Sequence, residues 1–177
     1  MKIAIIGYSG AGKSTLAEKL SNYYSIPKLH MDTLQFQPGW QDSDREWMLT
    51  EMKNFLTKHE SWVVDGNYSW CYYKERMQEA DQIFFLNFSP WTCLLRAFKR
   101  YLKYRGQVRE SMATGCPERF DWEFIRWILW DGRTKNAKER YQRVQENYPE
   151  KVIVLRSQKE MDHFLENLAN NKKNQRV

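Results

Sequence analysis

The stretch Gly7-Tyr8-Ser9-Gly10-Ala11-Gly12-Lys13-Ser14 decides the fold of this 177-residue chain. It matches the pattern GxxxxGK(S/T), and it stands between an apolar run typical of a buried strand, 2–6, and a segment with apolar side chains at helical spacing, 14–24. Successive backbone N–H groups in such a loop curl around a phosphate, and glycines allow turns that a Cβ would obstruct. The pattern therefore predicts a strand, a phosphate-binding loop and a helix.

The residues of this phosphate loop have distinct expected roles. Lys13 is expected to bridge β- and γ-phosphate oxygens, the Ser14 hydroxyl to ligate Mg²⁺, and Thr15 to add a hydroxyl to the α-phosphate. The predicted nucleotide-binding set is Gly7, Ser9, Gly10, Ala11, Gly12, Lys13, Ser14 and Thr15. A dinucleotide site fits less well, because the spacing is not GxGxxG. ATP and Mg²⁺ are the predicted cofactors.

The rest of the chain alternates strands and helices. Further apolar runs predict strands at 28–31, 62–65, 82–88 and 151–155. Helical spacing predicts helices at 44–59, 121–148 and 159–168. Strands separated by helices imply right-handed crossovers and a parallel sheet. We therefore predict one domain over residues 1–177, a three-layer α/β fold with a five-stranded parallel sheet, and a disordered polar tail at 170–177.

Composition bounds the class of protein. The net charge of +6 suits nucleic acid and a triphosphate equally well, and nothing in the sequence fixes the oligomeric state. No apolar run approaches the ~20 residues that cross a membrane, and no targeting segment is recognisable, so a cytoplasmic protein is expected. Cys71, Cys93 and Cys116 form no CxxC pair, which predicts free thiols.

Two aspartates follow predicted strands, where ligands collect in a parallel sheet. Asp65 ends the third predicted strand and is expected to hold the water shell of Mg²⁺. Asp32 stands just past the second strand and is expected to accept the proton of an acceptor hydroxyl or to orient it. The alternative for each is a turn cap, which Asp before Gly66 often is. Asn87, near the end of the next strand, is neutral, which favours Asp65 for the metal.

One predicted helix is amphipathic and basic. Its apolar side chains fall on one stripe: Trp91, Leu94, Leu95, Phe98 and Leu102. Its cationic side chains lie largely off that stripe: Arg96, Lys99, Arg100 and Lys103. Such a face is either solvated surface or a contact for a polyanion such as nucleic acid. No helix-turn-helix, zinc-finger or RNA-binding pattern accompanies it.

The segment after this helix, 105–120, is polar and has poor periodicity, which predicts a mobile lid. In phosphoryl transfer a closing segment that brings arginines over the phosphates both neutralises charge and excludes water. Arg105 and Arg109 are the predicted lid arginines, and Arg133 is expected to approach the same phosphates from the far side. The alternative is again a solvated charged face.

Over nearly its whole length the chain resembles the adenylate kinase-like P-loop kinases, and more narrowly the bacterial DNA topology modulation proteins of the FlaR type. The resemblance rests on four segments: Gly7 to Ser14, His30-Met31-Asp32 with Gln37-Pro38-Gly39-Trp40, Val63 to Tyr68, and Gly115 to Asp121. It implies a P-loop NTPase fold of the nucleoside monophosphate kinase type with a short lid.

The resemblance also carries over site residues. In nucleoside monophosphate kinases the third strand ends in Asp-Gly followed by an aromatic residue, Pro and Arg, whereas here only Asp65-Gly66 match. Arg76 is expected to replace the missing arginine. The acceptor-binding residues that follow are Asp32, Asp65, Gly66, Asn67 and Arg76. Arg133 is similar to the arginine that touches the transferred phosphate after the lid of adenylate kinases, and it joins Lys13, Arg105 and Arg109 in the predicted catalytic set.

The sequence leaves three functions open. The first is an ATP-dependent kinase acting on a nucleotide or another small acceptor. The second is a DNA-binding or DNA-topology factor, suggested by the basic helix and the family resemblance. The third is a nucleotide-gated switch that hydrolyses ATP slowly.

Overall fold

A computed structural model describes the backbone of residues 1–174 and the side chains of residues 1–170. The strands are β1 Lys2–Gly7, β2 Lys28–His30, β3 Phe36–Gln37, β4 Gln41–Asp42, β5 Trp62–Asp65, β6 Gln82–Leu86 and β7 Val152–Leu155. The helices are α1 Lys13–Tyr24, α2 Asp32–Gln35, α3 Arg45–Lys58, α4 Tyr73–Glu79, α5 Pro90–Tyr104, α6 Trp122–Leu129, α7 Lys135–Asn147 and α8 Gln158–Asn174. A 3₁₀ turn at Asp131–Arg133 separates α6 from α7.

The main sheet has five strands in the order β2-β5-β1-β6-β7, and every neighbouring pair is parallel. This confirms the predicted sheet. β1 lies at its centre and β5 beside it, and both are buried along almost their whole length. Strands covered on both faces carry continuous apolar runs rather than alternating ones, which is why these segments were recognisable in the sequence. The phosphate loop therefore leaves the sheet at its middle.

The elements that differ from the prediction are mostly short. The β3–β4 hairpin and the seven-residue α4 were not predicted, because such elements hold too few residues for a periodic pattern. The predicted helix 121–148 is broken at the 3₁₀ turn that contains Gly132. At the carboxyl end α8 continues beyond the predicted 159–168 into the first residues of the predicted tail. Residues 175–177 of that tail lie outside the described residues.

Several helices begin where a side chain caps the first turn. Asp44 accepts a hydrogen bond from Trp47 N at the start of α3, and Ser89 does the same for Thr92 N at the start of α5. Pro90 then occupies the first turn of α5, where the N–H that proline lacks would have no partner within the helix. Asp121 caps α6 in the same manner. Each cap satisfies backbone donors that have no partner within the helix.

Helix α5 turns its apolar stripe away from the core. Its buried residues are the small Cys93 and Ala97. Leu94 of the predicted stripe is half-buried and packs against the core, whereas Trp91, Leu95, Phe98 and Leu102 are among the most exposed large apolar groups of the described residues. The small face lets the phosphate loop approach closely: a Cβ built on Gly10 would lie 2.5 Å from the Cys93 carbonyl oxygen. This contact fixes which side of the helix faces inward.

Two further sequence expectations concern the whole chain. Cys71, Cys93 and Cys116 are all buried and unpaired, which confirms free thiols. Among residues 1–174 no helix has both the length and the apolar character needed to cross a lipid bilayer.

Candidate functional site

A cavity of about 900 Å³ opens at the carboxyl end of the parallel sheet, above the phosphate loop. The loop contributes Ser9, Gly10, Gly12, Lys13, Ser14 and Thr15 to its lining. Of the other predicted loop residues, Ala11 is fully buried and Gly7 ends β1, and neither lines the cavity. Ligand sites at this edge are the rule for open parallel sheets. The cavity has the volume of a small-molecule site.

The loop adopts the turns that its glycines were expected to permit. Gly7, Gly10 and Gly12 all have positive φ, at 138°, 80° and 98°. A Cβ on Gly7 would meet the Leu86 carbonyl oxygen at 2.5 Å. Gly12 precedes the first residue of α1 and offers no side chain to cap it. The first N–H groups of α1 therefore have no side-chain cap, and they lie at the end of the helix next to the cavity, where an anion is favoured.

Lys13 lies among the loop carbonyls and the acidic strand ends. Its Nζ donates a hydrogen bond to the Tyr8 carbonyl at 3.2 Å. Burial lowers the pKa of Lys13, while the negative charges of Asp32 and Asp65 oppose that shift. Because desolvation of the ammonium dominates, its charge is only partly compensated by the protein. A bound polyphosphate would supply the missing negative charge.

Asp65 and Ser14, the two residues predicted to hold Mg²⁺, are in direct contact. The Ser14 hydroxyl donates to Asp65 Oδ2 at 3.0 Å, which joins the first turn of α1 to the end of β5. Hydroxyl and carboxylate oxygens side by side are ligands that Mg²⁺ accepts, the remainder coming from water and substrate phosphates. Within residues 1–174 no group of three His, Cys, Asp or Glu gathers elsewhere as a rival metal site. The donor set therefore fits Mg²⁺ beside a bound nucleotide.

His30 holds Asp65 from behind, a contact that strand and motif reasoning did not predict. His30 Nδ1 and Asp65 Oδ1 are 2.5 Å apart, and both side chains are buried. The pairing follows from the sheet, because His30 and Asp65 are register partners on the parallel strands β2 and β5. With Oδ1 engaged, Asp65 presents Oδ2 to the loop.

Asp32 lines the cavity beyond the phosphate loop, with one carboxylate oxygen engaged. The Tyr68 hydroxyl donates to Asp32 Oδ1 at 2.7 Å. Burial and the neighbouring Asp32 raise the pKa of Tyr68, so the phenol stays protonated and remains a donor. This bond orients Asp32 and leaves its other oxygen for an acceptor. The aromatic side chains of Phe36, Trp40 and Trp70 line the same part of the cavity.

The predicted lid is fastened to the β3–β4 hairpin at its far end. Gly39 N donates to the Gly115 carbonyl at 3.0 Å, and Trp40 Nε1 donates to the Pro117 carbonyl at 3.2 Å. The Arg119 guanidinium lies over the Trp40 ring, 4.5 Å from its centroid. Segments 37–40 and 115–121, which carried the family resemblance, thus touch each other. They close one wall of the cavity.

The cavity is rich in arginine. The arginines that line it are Arg96, Arg100, Arg109, Arg119, Arg126 and Arg140. From the sequence, Arg109 was predicted as a site residue, whereas Arg96 and Arg100 were recognised only as part of the basic helix. Arg96 Nε donates to the Gly10 carbonyl at 3.3 Å, so this side chain lies on the phosphate loop itself. The available signal was their spacing: positions 96 and 100 are one helical turn apart on the side of α5 away from its apolar stripe.

Arg100 and Arg109 share one carboxylate. Glu118, whose side chain is almost fully buried, accepts hydrogen bonds from Arg100 Nε at 2.8 Å and from Arg109 Nε at 2.5 Å. Arg109 is therefore at the cavity, where the lid prediction put it. Trp127 of α6 adds a further contact that was not predicted, because its Nε1 donates to Ser9 Oγ at 3.0 Å.

Three predicted arginines lie elsewhere, and their expected phosphate or substrate contacts are corrected here. Arg105 is exposed and does not line the cavity. Arg133 stacks on the Tyr8 ring, 3.7 Å from its centroid, and donates to the Phe88 and Ile128 carbonyls. Arg76 is fully buried and donates to the Gly66 and Tyr68 carbonyls. The guanidiniums of Arg76 and Arg133 are bound to backbone carbonyls, which is a structural task.

Gly66 and Asn67 do line the cavity, but the Asn67 amide is bound to the loop. Its Oδ1 accepts from Gly7 N at 3.0 Å, and its Nδ2 donates to the Gly7 carbonyl at 2.6 Å. This two-point contact ties the end of β5 to the start of the phosphate loop.

Replacing Asn67 with alanine is expected to lower the free energy of unfolding by about 2–3 kcal/mol, because both hydrogen bonds are lost and Gly7 keeps two polar groups without these partners. Denaturant unfolding would measure the change. Asn22→Ala is the matched control, since Asn22 is exposed and bonds only Glu18 on the same helix; it should change the value by less than about 0.5 kcal/mol. Equal, small effects of the two substitutions would contradict the assigned role.

Comparisons with known proteins place the fold. No family model matches the chain, and no curated protein matches it. Among solved structures it is similar to the deoxyadenosine kinase from M. mycoides that was determined with the products dCMP and a flexible dCDP bound. The TM-score is 0.52 at 18% sequence identity, over 98% of this chain and 100% of that chain. The chain thus has a P-loop kinase-like α/β fold, whereas these comparisons do not support its narrower resemblance to the DNA topology modulation proteins.

Proposed function

We propose that this protein is a small ATP-dependent kinase, which moves the γ-phosphoryl group of ATP onto a small acceptor. The observation that carries the proposal is the contact of Ser14 Oγ with Asp65 Oδ2 beside Lys13, at one end of a cavity whose other part holds Asp32. The first three groups are those that hold a triphosphate and its metal. The last is a carboxylate placed where a second molecule fits.

The roles of the side chains follow from their positions. Lys13 and the N–H groups at the start of α1 bind the β- and γ-phosphates, and Arg96, Arg100 and Arg109 surround them from above. Ser14 and Asp65 would hold Mg²⁺, which supplies charge neutralisation at the phosphate oxygens when bound. His30 keeps Asp65 oriented toward the loop.

The acceptor is proposed to bind between Asp32 and the aromatic residues Phe36, Trp40 and Trp70. Asp32 accepts the proton of the acceptor hydroxyl. The hydroxyl oxygen of the acceptor forms a bond to the γ-phosphorus as the bond between the γ-phosphorus and the β–γ bridging oxygen breaks. ADP is the leaving group, and Lys13 lies beside its β-phosphate until ADP dissociates. The lid wall and Trp127 limit the access of water, which favours transfer over hydrolysis.

The same geometry weighs against the two other functions. Arg96 and Arg100 of the basic helix line the cavity and are bound to protein oxygens, so they do not form a free surface for duplex DNA. A nucleotide-gated switch needs no second pocket, whereas here the cavity extends past the phosphate loop to Asp32. The deoxyadenosine kinase similarity adds support for nucleosides and nucleotides as the first acceptors to test.

Titration calorimetry with magnesium-ATP, followed by acceptor-dependent ADP release, tests the proposal. We expect heat of binding that needs the metal, and turnover with one member of a panel of nucleosides, nucleoside monophosphates and small hydroxyl metabolites. ATP hydrolysis that no acceptor accelerates would favour the switch. Binding of duplex DNA that survives near-physiological salt would favour the DNA factor, because loose phosphate contacts weaken steeply with salt. A lack of any binding heat would refute nucleotide binding altogether.

A further inference from the structure

Helix α5 carries an apolar stripe, defined here as Trp91, Leu95, Phe98 and Leu102, on the side that faces solvent. Their exposed fractions are 66%, 61%, 41% and 58%. Phe98, the least exposed, also contacts the Phe120 ring at a centroid distance of 5.2 Å. The exposed parts add up to on the order of 400 Å² of apolar surface. The largest apolar patch of a typical monomer has about this size and is often functional.

The spacing of the stripe is that of a helix-pairing seam. The intervals between successive members are four, three and four residues, which are the alternating intervals of the d and a positions in a heptad. A seam with this spacing stays on one side of a helix over three turns and fits between the side chains of a second helix. The partner surface that the stripe fits is therefore another helix with a matching seam.

The opposite side of α5 keeps the stripe outside. Cys93 and Ala97 pack against the core, and the Cys93 carbonyl touches Gly10. Arg96 is bound to the loop through the Gly10 carbonyl, and Arg100 is bound to Glu118. Rotating the helix to bury the stripe would break all of these contacts. The stripe can therefore be buried only by another molecule that binds to it.

We propose that the partner is a second copy of this chain, with the two α5 helices paired antiparallel across a two-fold axis. Large and smaller side chains alternate along the stripe, from Trp91 to Leu102. An antiparallel pair centred between Leu95 and Phe98 places Trp91 of each copy against Leu102 of the other, and Leu95 against Phe98. Every layer then combines an aromatic ring with a leucine, which fills space better than ring on ring. An interface related by a two-fold axis must be self-complementary in this way.

The charge of the protein fixes how this interface responds to salt. Each copy has a formal net charge of +6, so two copies repel each other at long range and the pairing is driven by apolar contact. Salt screens the repulsion, and the dimer becomes tighter as salt is raised. Attachment of the same basic, aromatic helix to an anionic lipid surface would instead weaken with salt. The stripe supplies about half of the roughly 800 Å² per partner that a standard interface buries, and the rest would come from the residues that flank it.

Sedimentation equilibrium of the full chain tests the pairing. The wild type is expected to form a dimer that tightens with salt, and Leu95→Glu and Phe98→Lys are each expected to weaken it by about 100-fold or more, because each buries unpaired charges. An equimolar mixture of the two variants should restore a dimer, since the new carboxylate of one copy faces the new ammonium of the other in a single layer. The other central layer keeps its native Leu95 and Phe98.

The matched control is a mixture of Leu95→Glu with Leu102→Lys, whose new charges fall in different layers and should not restore the dimer. Circular dichroism should show unchanged secondary structure in the single variants, because all three positions are exposed. A wild-type chain that remains monomeric up to about 100 µM would overturn the proposal. So would a dimer that Leu95→Glu leaves intact, or a monomer that binds phosphatidylserine vesicles through the stripe.

Discussion

Replacement of Lys13 with alanine is expected to lower kcat/KM for phosphoryl transfer by about 10³-fold or more, with the folded structure retained. The Lys13 ammonium is the cation at the centre of the loop, and burial lowers its pKa. A bound anion would therefore stabilise the charged form of Lys13. Charge that moves onto the β–γ bridging oxygen in the transition state would lose its nearest partner. Steady-state kinetics with the acceptor found in the panel would measure the loss.

Lys19→Ala is the matched control for this substitution. Lys19 lies on the same helix but is exposed and does not line the cavity, so the activity should stay within about 2-fold of the wild type. Calorimetry should show weakened magnesium-ATP binding for Lys13→Ala and unchanged binding for Lys19→Ala. Equal activity of the two variants would mean that the loop does not hold the transferred phosphate.

Replacement of Arg76 with alanine is expected to lower the free energy of unfolding by about 3–5 kcal/mol, the largest stability effect that we predict for a single residue. Arg76 is fully buried, and its two terminal nitrogens bond the Gly66 and Tyr68 carbonyls. Burial lowers the pKa of Arg76 to about 10, so it remains charged at neutral pH. Truncation leaves both carbonyls without these partners and opens a cavity where the buried side chain stood. Denaturant unfolding gives the number.

Two further variants separate the causes. Lys74→Ala, on an exposed position of the same helix, should change the free energy of unfolding by less than about 0.5 kcal/mol. Arg76→Met keeps much of the buried volume and should recover part of the loss, because only the hydrogen bonds are then missing. If Arg76→Ala were as stable as the wild type but failed to bind acceptor, the sequence-based role in substrate binding would be correct and the structural role wrong.

Local patterns made the centre of the molecule predictable. The strand, the phosphate loop and α1 are continuous in sequence, and the glycine positions that the loop needs are those at which the backbone has positive φ. The central strands β1, β5 and β6 were recognisable because burial on both faces leaves an uninterrupted apolar run. Asp65 could be placed because residues at the ends of parallel strands meet at one edge.

The features that could not be predicted from the sequence depend on long-range contacts. Nothing in the spacing of Arg76 or Arg133 distinguishes a phosphate ligand from a guanidinium that binds carbonyls, because both tasks use the same donors. The stripe of α5 has the periodicity of a core face, yet its direction depends on how closely Cys93 approaches Gly10. The link between His30 and Asp65 required the register of β2 against β5, which no local pattern contains.

The carboxylate of Glu118 gives the ligand-free cavity its own counter-ion. Without it, the like charges of Arg100 and Arg109 would repel each other, which would favour separation of the segment 105–120 from α5. An incoming anion must compete with Glu118 for these guanidiniums, so its net gain is the difference between two ion pairs rather than the full strength of one. Weakly held anions such as chloride or inorganic phosphate gain little from that exchange, whereas a polyanion anchored elsewhere in the cavity can complete it.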